Sequence, residues 1–157
     1  DLLYSRLMTP FWDVQIGVQY ANEWMANDYQ DRWFGVVALQ GLAPGKFEID
    51  ASLYISTDAE ITFDLEAEYD IRVTQRLVLQ PRIELGLAAQ DVPEQRLGAG
   101  VTGTNLDLRM RYEFKRESAP YIGVRYSFLV GETRNIARRI GEDAQQLFFL
   151  AGMRIMF

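Results

Sequence analysis

Carboxylates at every second position are the most chemically suggestive feature of this sequence. Asp64, Glu66, Glu68 and Asp70 lie two residues apart, and Arg72 keeps the same phase. Ile61, Phe63, Leu65, Ala67, Tyr69 and Ile71 fill the places between them. Side chains alternate sides of a strand with a period of two, so this segment has one acidic face and one apolar face. A glycosidase needs one placed pair of carboxylates. Repetition at strand period describes a lining, whose chemistry is to attract and hold cations. The chain therefore does not read as an enzyme.

Composition narrows the chemistry further. The 157 residues amount to one domain, with a net charge of −6 that argues against a nucleic-acid partner. Cys and His are both absent, which removes disulfides, thiolate metal sites and Ser-His-Asp or Cys-His catalysis from this segment. No run reaches the ~18 apolar residues of a helical membrane span.

Alternation positions these charges throughout the chain. Leu2–Met8 is strand-like, and Thr9-Pro10-Phe11 is a tight turn. Trp12–Tyr20 alternates with aromatics at both ends, and Asn22–Asp31 reads as a polar loop. Arg32–Leu42, the turn Ala43–Lys46 and Phe47–Ser56 follow. Glu60–Arg72 and Leu77–Ala88 form a long hairpin around Thr74 and Gln75. Gln90–Gly103 reads as a second long loop, and Leu106–Phe114 as a strand. Next come a tight turn at Arg116–Ala119 and a strand over Tyr121–Phe128. Gly131–Gln145 reads as a third long loop before the last strand, Leu147–Phe157.

Soluble strands usually run to about 5–6 residues, whereas membrane-barrel strands need about 9–11. The central hairpin alternates for roughly 13 residues on its first strand. Short turns at one end and longer loops at the other are the asymmetry of outer-membrane barrels. The expected fold is all-β: an antiparallel up-and-down transmembrane β-barrel of about 8–10 strands, with short periplasmic turns and longer extracellular loops. Nine strand runs are visible, and bacterial barrels close with even numbers. Either an upstream strand completes the barrel domain of residues 1–157, or the first run is not a barrel strand and eight remain. The terminal Phe157 falls in phase with the apolar face, as in outer-membrane barrels. A soluble lipocalin-like binder is the alternative, and it requires the apolar faces to point inward.

If the apolar faces point outward, the interior holds ten carboxylates: Asp13, Glu48, Asp50, Asp64, Glu66, Glu68, Asp70, Glu84, Asp107 and Glu113. Their basic partners there are Arg72, Arg82, Arg109, Arg111, Lys115, Arg125 and Arg154. Two readings stay open. One is an ion-pair network that fills a narrow barrel; the other is an acidic lumen that attracts and passes divalent cations. Trp12, Trp33, Tyr20, Tyr112 and Phe128 read as interface anchors.

Several stretches resemble the copper resistance protein B family. They are LLYSRLMTPFWDVQIGVQY, LQGLAP, LEAEYD, TQRLVLQPRIEL and PYIGVRY, which occur in that family's order over nearly the whole chain. The resemblance implies a copper-handling barrel in the outer membrane of a Gram-negative bacterium. Members commonly carry a Met/His-rich segment before the barrel, which this sequence does not contain. The ion to expect is Cu(II), bound or transported rather than held as a tight cofactor, because oxygen ligands suit it better than Cu(I). No metal-ligand set is read from the sequence: Met8, Met25, Met110, Met153 and Met156 are of the type that ligates soft Cu(I), but Met110 and Met153 fall on the apolar face and most of the five read as packing. Lipid, copper ions and a periplasmic copper protein are the expected partners, with a sealed barrel anchoring a metal-sequestering segment as the alternative role.

Overall fold

A computed structural model describes residues 2–25, 28–92, 95–114 and 118–155. Among these residues, ten β-strands and one helix run in the order β1 (Leu2–Thr9), β2 (Trp12–Met25), β3 (Asp28–Ala43), β4 (Phe47–Ser56), β5 (Ile61–Tyr69), β6 (Ile71–Arg72), β7 (Leu77–Ala88), β8 (Gly100–Tyr112), β9 (Ser118–Leu129), α1 (Gly131–Arg139) and β10 (Gln145–Ile155). They form one antiparallel sheet in which each strand pairs with the next, along β1-β2-β3-β4-β5-β7-β8-β9-β10. The two-residue β6 is the continuation of β5 beyond a break at Asp70, and it pairs with β7. This is the up-and-down order expected from the alternation. The path has nine strands, with β1 and β10 as its edges, and no pairing joins those edges among the described residues. β1 pairs with β2 from Leu2 to Thr9, so the eight-strand alternative does not hold.

The apolar faces point outward. Ile16, Val18, Trp33, Val37, Ile61, Ile83, Leu106, Leu108, Met110, Ile122, Val124, Phe149 and Met153 are exposed, Phe149 at 80%. Arg32, Asp107 and Arg111 are buried, Arg32 at 6%. The sheet is curled, because one cavity is lined by Gln19 of β2, Phe34 of β3, Tyr54 of β4, Asp64 of β5, Leu87 of β7 and Thr102 of β8. The concave side is where the charges lie. That arrangement overturns the lipocalin-like alternative, whose apolar faces would have filled the centre.

Three loops differ from expectation. Asn22–Asp31 is mostly strand, since β2 and β3 stay paired out to Met25 opposite Asp28. Backbone pairing there continues without apolar alternation, overriding the weak strand propensity of Asn and Asp. The second loop is shorter than expected because β8 begins at Gly100, and a bridge between Val92 and Leu97 folds what remains. The third loop contains α1, whose acidic first turn (Glu132) and basic last turn (Arg138, Arg139) suit the helix dipole. Thr133 and Ala137, four residues apart, form its buried face. Gly141 follows with φ 79°, the left-handed turn that ends many helices. The expected interior cation Lys115, residues 116 and 117 of the expected turn, Met156 and the terminal Phe157 lie outside the described residues.

The connections around Pro10, Pro44, Thr74–Gln75 and after Tyr112 share one end of the sheet, and residues 57–60 make an equally short one at the other. At Ala43–Lys46 the Lys46 N–H donates to Ala43 O at 3.1 Å. That opposite end also carries the paired ends of β2 and β3, residues 89–92 and 95–99, and α1. The last two lock together there: the buried Gly98 N–H donates to Thr133 Oγ1 at 2.9 Å. A Cβ at Gly98 would lie 2.4 Å from Glu132 Cβ, so only glycine permits this approach.

Candidate functional site

Strand register arranges the interior charges in rows across the concave face. One row runs Asp50–Glu66–Glu84–Asn105–Ser127–Gln146 through β4, β5, β7, β8, β9 and β10. The next, two residues nearer the short turns, runs Glu48–Glu68–Arg82–Asp107–Arg125. Gln80 then stands opposite Arg109, and Val78 opposite Arg111 and then Tyr121. Charge therefore changes along β7, β8 and β9, which turn basic toward the short turns with Arg82, Arg109, Arg111 and Arg125, while Glu48 and Glu68 keep β4 and β5 acidic there.

The acidic half surrounds a cavity of about 780 Å³. Six carboxylates line it, Asp50, Asp64, Glu66, Glu84, Glu142 and Asp143, and no Lys or Arg does. Glycine at position 86 keeps it open, since a Cβ there would lie 2.7 Å from Thr102 Oγ1 and 3.5 Å from Asp64 Oδ1. Glu66 accepts from Arg82 at 2.6 Å. Glu84 accepts from Arg82, from Asn105 at 2.7 Å and from Arg125 at 3.4 Å. Glu142 is paired with Arg96. Asp50 and Asp64 hold no hydrogen bond or ion pair among the described residues, so their charges face the cavity uncompensated.

The mixed row below is held by charge-assisted bonds. Arg125 grips Asp107 through Nε at 2.7 Å and through a terminal nitrogen at 2.8 Å. The Asp107 side chain is fully buried, at 0% exposure. This two-pronged geometry is the strong form of the interaction. Glu68 and Asp70 both accept from Gln80, at 2.6 and 2.8 Å. Arg111 pairs with Asp70 at 3.1 Å and with Glu113 at 3.5 Å.

The short-turn half encloses a second cavity of about 280 Å³, lined by Glu68, Gln80, Arg109, Arg111, Tyr121 and Arg154. An acidic recess of about 310 Å³ beside β3 gathers Glu48, Asp50, Glu66 and Glu68 against Gln40.

Not every residue expected inside joins these groups. Asp13 sits near the β1 edge, where Ser5 Oγ donates to it. Arg72 is exposed on β6, and the Glu113 side chain, beyond the end of β8, is tied in only through Arg111 among the described residues. Met8, Met110 and Met153 are exposed, away from the charges. Among the described residues no group of three or more carboxylates is close enough to hold a metal ion. The acidic cavity is thus a dispersed negative lining and not a preformed chelate.

Several participants escape sequence reading. Arg32 and Glu60 form a shielded ion pair at the long-loop end. Glu142 and Asp143 enter from the segment after α1, and Tyr121, Gln80 and Asn105 complete the walls. Their in-phase positions on strands are the signal for the last three; nothing in the local sequence announces the first four.

An up-and-down antiparallel sheet with apolar side chains outside and a charged interior defines a β-barrel protein. The family model described as "Copper resistance protein B precursor (CopB)" matches residues 1–157, and the chain belongs to that family. It is 40% identical over 160 residues to "Copper resistance protein B" of Escherichia coli, across 100% of this chain and 52% of that protein. It is 31% identical over 155 residues to "Copper resistance protein B homolog" of Pseudomonas syringae pv. tomato (strain ATCC BAA-871 / DC3000), across 99% of this chain and 51% of that protein. The chain spans about half the length of the curated relatives it matches.

Proposed function

We propose that this chain is the outer-membrane β-barrel of a copper resistance protein, and that its acidic half collects copper ions, as Cu(II), from the long-loop end. The cavity lined by six carboxylates and no basic residue carries this reading. A negative lining behind low-dielectric walls concentrates cations. Weak, dispersed oxygen ligands suit an ion that must leave again. Copper is here cargo and not a resident cofactor.

The exterior supports the membrane assignment. Aromatic pairs lie toward both ends of the sheet: Tyr20–Trp33 and Tyr126–Phe128 near the long loops, Phe47–Tyr69 and Tyr112–Phe114 near the short turns. The strand from Trp33 to Ala43, where Phe47 pairs, covers ten residue steps. At ~3.4 Å per step and a ~45° tilt this is roughly 24 Å, matching the ~25 Å apolar band of such barrels. The short turns are then periplasmic, where a copper protein is the candidate partner, and the net charge of −6 disfavours nucleic acid.

A second reading rests on the interior bridges of Arg82 and Arg125, which span β5, β7, β8 and β9. They favour a sealed barrel that anchors a metal-sequestering segment. Titrating the full-length protein with Cu(II) separates the two. The collecting role predicts that Asp50→Asn/Asp64→Asn weakens a barrel-borne site by about tenfold or more. Unchanged affinity in that variant would leave only the anchor.

A further inference from the structure

The lumen is not uniform, and its basic half must also do something to a cation. Below the acidic cavity, Arg82 and Arg125 are neutralised by Glu66, Glu84 and Asp107. Arg111 is held between Asp70 and Glu113. Arg109 differs: among the described residues it makes no hydrogen bond or ion pair, and Glu68 acts on its charge only at longer range. Gln80, its cross-strand neighbour, is committed to Glu68 and Asp70. On the other side stands Gly123, where a Cβ would lie 2.9 Å from Leu108 O and 3.1 Å from Arg109 Cγ. The Arg109 stem thus lies across a strand position that has no side chain. Similarly, the Tyr121 ring lies over Gly152, 2.6 Å from where a Cβ would sit. Two glycines make room for a guanidinium and a phenol in the same small cavity, together with Arg111 and Arg154.

We infer that Arg109 is the residue that bars cations from the short-turn half of the lumen, making the acidic half a vestibule with one mouth. This deepens the copper-collecting reading and rests on it only for the identity of the ion. A fixed positive charge in a narrow passage repels cations while leaving their binding further up unaffected. Ions drawn in by Asp50 and Asp64 therefore return by the same mouth unless the Arg109 charge is offset. Glu68, on the wall of the same cavity, is the carboxylate that interacts with it, and Gln80 holds that carboxylate at 2.6 Å.

The test uses the full-length protein in planar bilayers under a KCl gradient, so that it does not depend on copper. Arg109→Gln should raise conductance by about tenfold and move the reversal potential toward that of potassium. Arg109→Lys keeps the charge and should behave as the parent. The inference is overturned if Arg109→Gln conducts no better than the parent, or if Arg109→Lys opens the lumen equally. Should Arg109→Gln fail to insert, Arg109→Met, which removes the charge and keeps the stem, serves instead: a reversal potential moved toward that of potassium supports the barrier and an unchanged one overturns it. Failure of the copper reading appears separately, as Cu(II) affinity indifferent to Asp50→Asn/Asp64→Asn.

Discussion

Asp50 and Glu66 stand directly opposite each other in the β4–β5 ladder, and Glu66 in turn faces Glu84. Like charges in register oppose pairing. A fold selected for stability alone would place opposite charges there, as it does one row further on where Arg82 faces Asp107. The acidic row is a cost to pairing, and the cation-collecting role proposed above would account for it.

Removing that repulsion should stabilise the barrel. Asp50→Asn is expected to raise unfolding free energy by about 0.2–1 kcal/mol while lowering Cu(II) affinity. Urea midpoints and copper titrations of the same preparation measure both. A variant that loses stability would contradict the like-charge account.

The Arg125–Asp107 pair should behave in the opposite sense. Asp107→Ala leaves a guanidinium without its two-pronged partner, at a cost of about 3–5 kcal/mol. Replacing both members with apolar residues, Asp107→Leu and Arg125→Met, should recover most of it. A double variant as unstable as the single one would show that the pair is not an independent unit.

The outward face gives a clean test of the solvent it meets. Leu108 is exposed in the middle of β8. Leu108→Arg should cost about 2–4 kcal/mol for folding into bilayers, as for charges near the midplane of other barrels. A protein whose outer face met water would tolerate the change or dissolve better.

The contact between the loop and α1 predicts a local effect. Thr133→Val removes the acceptor of the buried Gly98 amide. Hydrogen exchange at Gly98 should accelerate by about tenfold or more, as expected for roughly 1–3 kcal/mol of lost satisfaction. Exchange in the centre of β7 should be unchanged.

Much of this was legible in the residues. Alternation at Asp64, Glu66 and Glu68 named the strand, its faces and the acidic side, because a period of two admits one orientation once the apolar side is assigned. The family resemblance was also legible, through motifs spread over the chain. The separation of charge along the strands was not, because it depends on register between β4, β5, β7 and β8. Nor was α1, since G-E-T-R-N-I-A-R-R shows little apolar periodicity and its buried side is only Thr133 and Ala137. Glu142 reaches the cavity through that helix, so it could not be placed without it.

The strand count has a directional consequence. Along a path of nine antiparallel neighbours, the first and last members run the same way. Joining Leu2–Thr9 directly to Gln145–Ile155 would create one seam of parallel partners in an otherwise antiparallel wall, with slanted and slightly weaker hydrogen bonds. Adding a single strand between them would restore the alternation. The parity of the wall thus decides whether this barrel carries a built-in weak line, and where that line falls.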